Sequence, residues 1–446
     1  MPGQVSSEPS PETTAAQTVR PLVELLLGRP VPIRFEFFDG SALGPERPSE
    51  RDSGPERPSG MVRIRTADAL RRLMWAPGEL GLSRAFVAGD IELEGDIFAI
   101  LHVLQESAPQ DMRFLGLAGL LAGARAARRM GAIGRPLPAP PEEVLPVGWR
   151  HSVGRDRASV SHHYDVSNDF YRLVLGPSMT YSCARFADDD TTLEQAQEAK
   201  LELVCRKLGL HERPGMRLLD VGCGWGSMAI HAAGHHGAEV VGVTVSREQA
   251  ELARRRVADA GLDGQVDIRL QDYRLVDGET FDAISSIGMF EHVGRARQDL
   301  YFSHLRALLG PGGRLLNHAI STPGSSKPGR RSFMNRYVFP DGELLDVGEV
   351  VLAMERAGFE VRDVESLREH YVKTLHPWVA NLEAKWDEAV ALVGPRRARI
   401  WRLYMAGCAN RFEDGVLGVH QVLGIVTDGA GRSFMPPTRA GWERSS

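Results

Sequence analysis

Residues 218–227 read LLDVGCGWGS, and this stretch indicates the fold. An apolar strand ends at Asp220, a loop follows with glycine at every second position, and MAIHAAGHH continues as a helical run. Gly222, Gly224 and Gly226 allow the backbone to approach a ligand closely and to take positive φ angles. The dinucleotide fingerprint GxGxxG would place the third glycine one residue later. The loop alone therefore fits a dinucleotide site, a nucleoside site or merely a tight strand-to-helix turn.

Four further β-rich runs follow the same alternation with helical or loop stretches. They read EVVGVTV, VDIRLQD, FDAISSIGMF and GRLLNHAI. Alternating strands and helices predict a doubly wound α/β sheet. A chain of 446 residues exceeds one ordinary core, so we expect two domains. We predict that the α/β domain spans residues 150–430 and that residues 431–446 form a C-terminal tail.

The chain before this domain has a different character. Residues 1–18 are rich in Ser, Pro, Glu and Thr, which predicts disorder. Residues 19–134 mix strand-like and helix-like patterns and predict a smaller α+β domain. RPLPAPPEE, at residues 135–143, is a Pro-rich break, so we predict a linker over residues 135–149.

Composition narrows the class of partner. A net charge of −5 argues against a nucleic-acid partner, because phosphate binding needs a basic surface. The four cysteines are scattered and show neither a disulfide framework nor a CxxC zinc spacing, so no metal site is predicted. This cysteine usage fits a reducing cytoplasm. No run approaches the ~20 apolar residues that a bilayer crossing needs.

DVGCGWG, beginning at Asp220, resembles the class I S-adenosylmethionine methyltransferases. The resemblance implies a Rossmann-like, seven-stranded doubly wound sheet with S-adenosylmethionine bound at the glycine loop. The second strand lacks the usual ribose-binding acid, and LQDY after the third strand offers an acid for the adenine amine and a ring for stacking, although either is also an ordinary loop residue. The implied cofactor-binding residues are Tyr181, Ser182, Asp220, Gly222, Gly224, Gly226, Thr244, Ser246, Gln249, Asp272 and Tyr273.

A larger set of segments narrows the resemblance. SHHYD, TYSC, LEQAQEAKLELVCRKL, SIGMFEHVG and SLREHYVKTL are similar, in this order, to segments of the cyclopropane-fatty-acyl-phospholipid synthases and their mycolic-acid relatives. The N-terminal part, with FDGS and MWAPGELGLSRAFVAGDIELEGD, looks like an actinobacterial branch that converts oleoyl phospholipid to a 10-methylene acyl chain. That branch supplies the precursor of 10-methylstearate. A cyclopropane product from the same site, or a small soluble methyl acceptor, are the alternatives, and a non-catalytic lipid-binding protein is a third.

The resemblance also implies the chemistry. Methylation of an isolated double bond leaves a cation on the acyl chain, and aromatic faces stabilise a cation. The family uses bound bicarbonate as the base, held by the set Cys183, Glu291, His318, Ile320 and Tyr371. Glu291 could instead cap a helix N-terminus, or do both. The aromatic candidates are Tyr164, Tyr181, Phe290, Tyr337 and Tyr371.

The remaining expectations concern neighbours of the site and partners. His292 is read as a residue that fixes the loop, and Cys408 as a buried structural thiol. FLGLAGLLAGARAARRMGAIGR, which starts at Phe114, is either an ordinary core helix or a surface helix at an anionic membrane. We therefore expect a cytoplasmic protein in peripheral contact with the inner face of the membrane, acting on phospholipid acyl chains. The family also forms homodimers, and a methylene product would need a partner reductase.

Overall fold

The computed structural model describes residues 13–46, 60–107, 116–144, 167–325, 329, 331–340 and 342–443. SHHYD at residues 161–165, which includes Tyr164, lies outside these ranges, as does the start of the run at Phe114. Contacts divide the chain into two units. The first contains residues 1–143 and 331–333, and the second contains residues 144–330 and 334–446.

The first unit is built on a four-stranded sheet with the order β2-β1-β3-β4. β1 and β3 are parallel, and the other two pairs are antiparallel. The sheet and helices together form an α+β unit, as expected from the mixed sequence pattern. The strands are β1 Arg34–Phe37, β2 Ala42–Leu43, β3 Gly60–Ile64 and β4 Ile91–Gly95, and the described helices are α1 Ala15–Leu27, α2 Asp68–Trp75, α3 Glu79–Ala88, α4 Ile97–Ser107 and α5 Gly116–Arg129.

Helix α1 begins earlier than the predicted end of the disordered segment at residue 18. Thr14 Oγ1 accepts a hydrogen bond from the Gln17 amide, and the Gln17 side chain accepts one from the Thr14 amide. This reciprocal capping box satisfies two amide donors that a helix start leaves without partners. Helix α1 therefore includes residues 15–18, which the sequence analysis assigned to the disordered segment, because a Ser- and Thr-rich stretch also contains good caps.

The Pro-rich stretch is bonded to the first unit over part of its length. Arg71 donates to the Arg135 carbonyl at 2.5 and 2.8 Å, and Arg72 donates to the Pro138 carbonyl at 2.8 Å. Arg84 forms a bidentate ion pair with the buried Glu143. The units divide after Glu143, inside the segment predicted as a linker. Residues 135–143 thus belong to the first unit and are not a free spacer.

The second unit contains a seven-stranded sheet with the order β10-β11-β9-β8-β5-β6-β7. Its strands are β5 Arg217–Val221, β6 Glu239–Thr244, β7 Val266–Leu270, β8 Phe281–Ile287, β9 Leu309–Ser321, β10 Glu360–Ser366 and β11 Gly418–Ile425. Its described helices are α6 Asn168–Leu175, α7 Leu193–Leu208, α8 Ser227–His236, α9 Arg247–Asp259, α10 Gln298–Ala307, α11 Val347–Arg356, α12 Arg368–Ala384, α13 Trp386–Val393, α14 Pro395–Glu413 and α15 Ala440–Glu443.

The strand order creates one switch point. β5 pairs in parallel with both β6 and β8, and the chain proceeds outward to β7 on one side and to β9 on the other. β11 alone runs antiparallel to its neighbours. In an open α/β sheet, ligands bind beyond the carboxyl ends of the strands where the order reverses. A ligand site is therefore expected at the carboxyl end of β5.

Two apolar clusters bury the sheet. One joins strand residues to α7, α8 and α9, and the other joins strand residues to α10 and α11. The near-continuous apolar character of β5 and β6 follows from this burial on both faces. Trp442 is buried, so the described part of the predicted tail, residues 431–443, packs onto the unit through α15, which contacts α7.

Candidate active site

The glycine loop bends the chain out of β5 and into α8. Gly222, Gly224 and Gly226 all have left-handed φ angles, of 75°, 55° and 82°. A Cβ at Gly222 would approach Met289 to 3.0 Å, whereas a Cβ at Gly224 would meet nothing within 4 Å. Side chains rarely take this backbone conformation, so glycine is required here on conformational grounds.

A cleft of about 980 Å³, partly open to solvent, lies at the end of β5, β6 and β8. Most of the predicted cofactor-binding residues line it. They are Tyr181, Ser182, Asp220, Gly222, Gly224, Thr244, Gln249 and Tyr273.

Three predicted cofactor-binding residues do not line the cleft. Gly226 is the N-cap residue of α8. Ser246 caps α9, because its hydroxyl accepts a hydrogen bond from the Gln249 amide at 3.2 Å. Asp272 accepts hydrogen bonds from the Arg274 side chain at 2.6 and 2.9 Å. Its carboxylate is thus paired with a guanidinium, and Gln271, which the sequence analysis did not select, lines the cleft beside it.

Two buried groups of opposite charge face the cleft. Asp220 is 2% exposed, and its Oδ1 accepts from the Ser285 hydroxyl at 2.8 Å. Its Oδ2 has no hydrogen-bond partner among the described residues, and burial raises the pKa of the carboxyl to about 6. Lys200 Nζ donates to the Ser182 hydroxyl at 2.9 Å, and burial lowers the pKa of this amine to about 8. An ammonium and a carboxylate in one cleft suit the zwitterionic amino-acid end of S-adenosylmethionine.

The sequence analysis missed Lys200, although its signal is present. The stretch LEQAQEAKLELVCRKL forms α7, and Gln197, Lys200 and Lys207 lie on its buried face, with exposed fractions of 0–1%. A polar residue at a core position of an amphipathic helix is unusual unless it is paired. Helical spacing alone would have identified these three side chains.

The predicted anion-binding set gathers around β9. Glu291 lies in a short helical turn, Phe290–His292, that follows β8. Its Oε1 accepts a hydrogen bond from the Ile320 amide at 2.7 Å, and its Oε2 has no partner within the described ranges. Burial raises the pKa of Glu291 to about 7. The carboxylate therefore bonds a strand amide across the sheet edge, and it does not act as the helix N-cap.

His318 lies on β9, two residues before Ile320, and its side chain is buried. Burial, followed by the charges of Lys200 and Lys207, lowers its pKa to about 3, so the ring is neutral. Its Nδ1 lies 3.3 Å from the Gln421 amide nitrogen. Its Nε2 is buried and has no hydrogen-bond partner in the part of the chain that is described.

Tyr371 and Cys183 complete the set. Both are buried, and the pKa of Tyr371 is raised first by burial and then by Tyr404, Cys183 and Glu291, which places these groups near one another. Burial also raises the pKa of Cys183, whose thiol donates weakly to the Ala184 and Leu367 carbonyls at 3.3 and 3.5 Å. Cys183 is thus a neutral thiol and not a nucleophile.

Aromatic rings form a wall beside Tyr181, whose hydroxyl donates to the Tyr404 hydroxyl at 3.0 Å. Its ring lies 5.4 Å from Trp378 and 5.7 Å from Trp401. The tryptophans were not selected from the sequence. Phe290, a predicted cation-stabilising ring, instead packs on Tyr301 and Phe302 within the core, because the turn after β8 directs it away from the cleft.

The sequence analysis also made predictions for His292 and Cys408. His292 lines the cleft. Burial raises the pKa of Cys408 to about 12, which keeps the thiol protonated and unreactive.

Outside the cleft, Cys205, His231 and His236 place potential metal-ligand atoms within 4.8 Å of one another. Glu202 lies 3.3 Å from the His231 imidazole and 2.8 Å from that of His236, so both rings already have a partner there.

The sheet order and the glycine-loop cleft define the class: this is a class I S-adenosylmethionine-dependent methyltransferase fold. A solved structure of coclaurine N-methyltransferase shares it at 22% identity, with a TM-score of 0.55 over 60% of this chain and 81% of that one. The chain belongs to the mycolic acid cyclopropane synthetase family, whose sequence model matches residues 151–422. The resemblance read from the sequence is confirmed, as is the fold class.

Relatives extend the comparison over most of the chain. It is 41% identical to a probable fatty acid methyltransferase of Mycobacterium tuberculosis over 92% of this chain and 95% of the relative. It is 40% identical to the cyclopropane-fatty-acyl-phospholipid synthase of Escherichia coli over 58% of this chain and 66% of that protein. The structure of mycolic acid cyclopropane synthase CmaA1 complexed with SAH and CTAB matches 60% of this chain and 97% of that one, at 38% identity and a TM-score of 0.56. The protein is therefore an S-adenosylmethionine-dependent methyltransferase of the cyclopropane fatty acid synthase family.

Proposed function

We propose that this enzyme methylates the double bond of an unsaturated acyl chain in a phospholipid, with an oleoyl chain as substrate and a 10-methylene chain as product. The observation that carries the proposal is the buried set of Glu291, His318 and Tyr371 beside an aromatic wall. A methyltransferase acting on a nitrogen or oxygen atom needs no buried anion-binding set, because its acceptor already has a lone pair. An alkene acceptor needs both cation stabilisation and a base.

S-adenosylmethionine, when bound, supplies an electrophilic methyl group. Asp220 and Lys200 hold the charged amino-acid end through their opposite charges, and Gly224 leaves room for close approach of the ligand to the loop. Tyr273 and Gln271, which follow β7, line the cleft and would hold the adenine ring. The chain thus provides binding and orientation, and the reactive group comes with the cofactor.

Bicarbonate fits the second part of the site. Two buried polar atoms, Glu291 Oε2 and His318 Nε2, are without partners in the described chain, and such atoms are costly unless a ligand or water satisfies them. Glu291 would accept the hydroxyl of the anion, and His318 and Tyr371 would donate to its oxygens. Bound bicarbonate would supply a small base that, unlike a protein carboxylate at the same place, leaves no covalent adduct on the enzyme when alkylated.

The chain's own residues protect the cation. The rings of Tyr181, Trp378 and Trp401 present apolar, electron-rich faces, which stabilise positive charge and exclude water. Cys183 contributes a protonated thiol, so this side chain does not capture the cation. The gain of a methyl group and the loss of one proton add one CH₂ to the acyl chain.

A cyclopropane product is the second candidate, because several relatives are named for it. The cyclopropane mycolic acid synthase of M. tuberculosis aligns with 59% of this chain, whereas the probable fatty acid methyltransferases align with 92%. The fuller alignment is with relatives that are not named for a cyclopropane product, so the methylene product remains our first proposal. Such a product would need a reductase to reach the saturated branched chain. For the assembly of the enzyme we propose a homodimer.

Membrane contact is proposed for the first unit. No helix among the described residues is long and apolar enough to cross a bilayer. Helix α5 exposes Arg125, Arg128 and Arg129 together with Leu121, and Ile133 follows with an exposed side chain. Exposed apolar and basic side chains in one segment suit an anionic lipid surface. We place this surface at the inner face of the membrane, in the cytoplasm.

One experiment tests the function. The purified protein is incubated with S-adenosylmethionine and vesicles of dioleoyl phospholipid, and the acyl chains are analysed by mass spectrometry and NMR. We expect a gain of one CH₂ with the signals of an exocyclic methylene. Cyclopropane signals would support the second candidate, and unchanged lipid in the presence of bicarbonate would contradict both.

A further inference from the structure

Gln421 is a buried amide in strand β11, whose other buried residues carry no polar side chain. It lies on β11 directly opposite His318 on β9 in the antiparallel ladder. Gln421 is 0% exposed and His318 is 2% exposed. A buried amide costs free energy unless it is hydrogen-bonded, so its presence here calls for a partner.

That partner is the imidazole. The Gln421 amide nitrogen lies 3.3 Å from His318 Nδ1. An amide NH₂ group donates hydrogen bonds and cannot accept them, so Nδ1 must present its lone pair. The low pKa that burial gives His318 keeps the ring neutral, and a neutral ring with a bare Nδ1 carries its only proton on Nε2.

Nε2 is the buried atom of His318 that no described residue satisfies. Two residues further along β9, the Ile320 amide donates to Glu291. A strand rises about 3.3 Å per residue, so His318 lies only about 7 Å along β9 from the amide that holds Glu291. A donor at Nε2 would therefore be available where the anion-binding set gathers.

We propose that Gln421 is a positioning residue that fixes His318 in the Nε2–H tautomer, so that the imidazole donates a hydrogen bond to the anion bound by Glu291 and Tyr371. This inference rests on the proposed function for the identity of the anion. The opposite amide orientation would place Oε1 against Nδ1, put the proton on Nδ1 and leave a lone pair on Nε2. That lone pair would repel an anion, so the orientation of one buried amide controls the role of the histidine.

The test compares two variants with the wild-type enzyme. Gln421→Glu replaces the donor by an acceptor and should move the proton to Nδ1. Gln421→Met keeps the volume and removes the hydrogen bond, so the tautomers should mix. The nitrogen chemical shifts of His318, assigned with a His318→Gln variant in ¹⁵N-histidine-labelled protein, report the tautomer directly. We expect Nε2–H in the wild-type enzyme and a changed tautomer in both variants.

The second readout is the bicarbonate dependence of turnover in buffers freed of carbon dioxide. A lost hydrogen bond to an anion corresponds to about a tenfold or larger rise in the apparent bicarbonate KM, and we expect this for Gln421→Glu with a smaller rise for Gln421→Met. Cofactor affinity, measured by calorimetry, should be unchanged. Val422→Ala is the control: it removes buried volume from the next position of β11 and should lower Tm without changing the tautomer.

The outcomes separate the two proposals. A wild-type His318 with its proton on Nδ1, or variants with an unaltered tautomer, would overturn the role of Gln421. If the tautomer shifts as expected but turnover never depends on bicarbonate, the positioning of His318 stands and the identity of the anion is wrong. Loss of activity with an unchanged tautomer and a lowered Tm would mean that Gln421 only stabilises the fold.

Discussion

At the scale of single residues, burial sets the protonation of each group in the site. Glu291, His318 and Cys183 are all enclosed, and in each case burial shifts the pKa toward the neutral form. Cys183 and His318 are therefore neutral near pH 7, and Glu291 is poised between its two forms. Proton transfer favours groups with a pKa near the working pH, which suits the role proposed for Glu291.

Glu291→Gln should abolish turnover while S-adenosylmethionine still binds. The amide retains the acceptor for the Ile320 amide but cannot accept a proton from a bound anion's hydroxyl as a carboxylate does. Removal of one such electrostatic contact corresponds to a loss of about 10²–10³ in kcat. Turnover and cofactor affinity are measured separately, and a variant with full activity would refute the role of Glu291.

The same variant should change the dependence of stability on pH. The pKa of Glu291 in the folded chain, about 7, exceeds the ordinary glutamate value. The folded chain therefore holds the proton more tightly than the unfolded chain. The free energy of unfolding is thus higher at low pH and falls as the pH rises through 7. Glu291→Gln avoids the ionisation. We therefore expect the variant to gain more in Tm over the wild-type enzyme at pH 8 than at pH 5, measured by calorimetry without ligand.

At the scale of elements, helix α7 carries two buried lysines with different roles. Lys200 lines the cleft and bonds Ser182. Lys207, two turns later, forms ion pairs with Asp363 at 2.9 Å and Glu365 at 2.5 Å on β10. One helix thus holds a ligand-facing cation at one position and fastens itself to the sheet edge at another.

Substitution of each lysine by methionine should separate these roles. Lys200→Met should weaken S-adenosylmethionine binding by about 10- to 100-fold, because a charged hydrogen bond contributes ~1.5–3 kcal/mol. Lys207→Met should leave that affinity unchanged but destabilise the fold by about 3–5 kcal/mol, since two carboxylates lose their buried partner. Calorimetric binding and thermal unfolding of both variants check this. Equal affinities in Lys200→Met and the wild-type enzyme would contradict the assignment.

At the scale of the whole molecule, the proposed chemistry and the proposed lipid contact fall in different units. The second unit contains the glycine-loop cleft and the predicted anion-binding residues, and the first unit contains the exposed basic end of α5. The chain as a whole is acidic, with a net charge of −5, whereas this segment of α5 is basic. Lipid binding by such a segment should depend on salt, because it is electrostatic.

The double variant Arg128→Glu, Arg129→Glu should weaken sedimentation with anionic oleoyl vesicles. Each arginine near an anionic surface contributes about 1 kcal/mol, so a loss of roughly tenfold or more is expected at low salt. The matched control, Arg396→Glu with Arg397→Glu, changes the same charge on the second unit. If both double variants bind vesicles equally, α5 is not the membrane-contacting surface.

The sequence by itself determined the α/β fold and the glycine loop, and it predicted a set of anion-binding residues. These are local properties: strands and helices have different periods, and the loop from Gly222 to Gly226 carries its own conformational requirement. Glu291, His318, Ile320 and Tyr371 were identified from short motifs, and the structure brings them together around the end of β9. The pairing of Asp272 with Arg274 could not be predicted from local patterns, because it depends on side-chain geometry.

Only the tertiary structure decided how these residues are oriented and charged. The contact between Gln421 and His318 joins residues 103 positions apart and exists because β11 pairs with β9 in one register. A shift of that register by one residue would turn Gln421 to the other face. Burial of Lys200 and Glu291 likewise depends on every element packed around them. Their protonation follows from an environment that distant segments of the chain supply together.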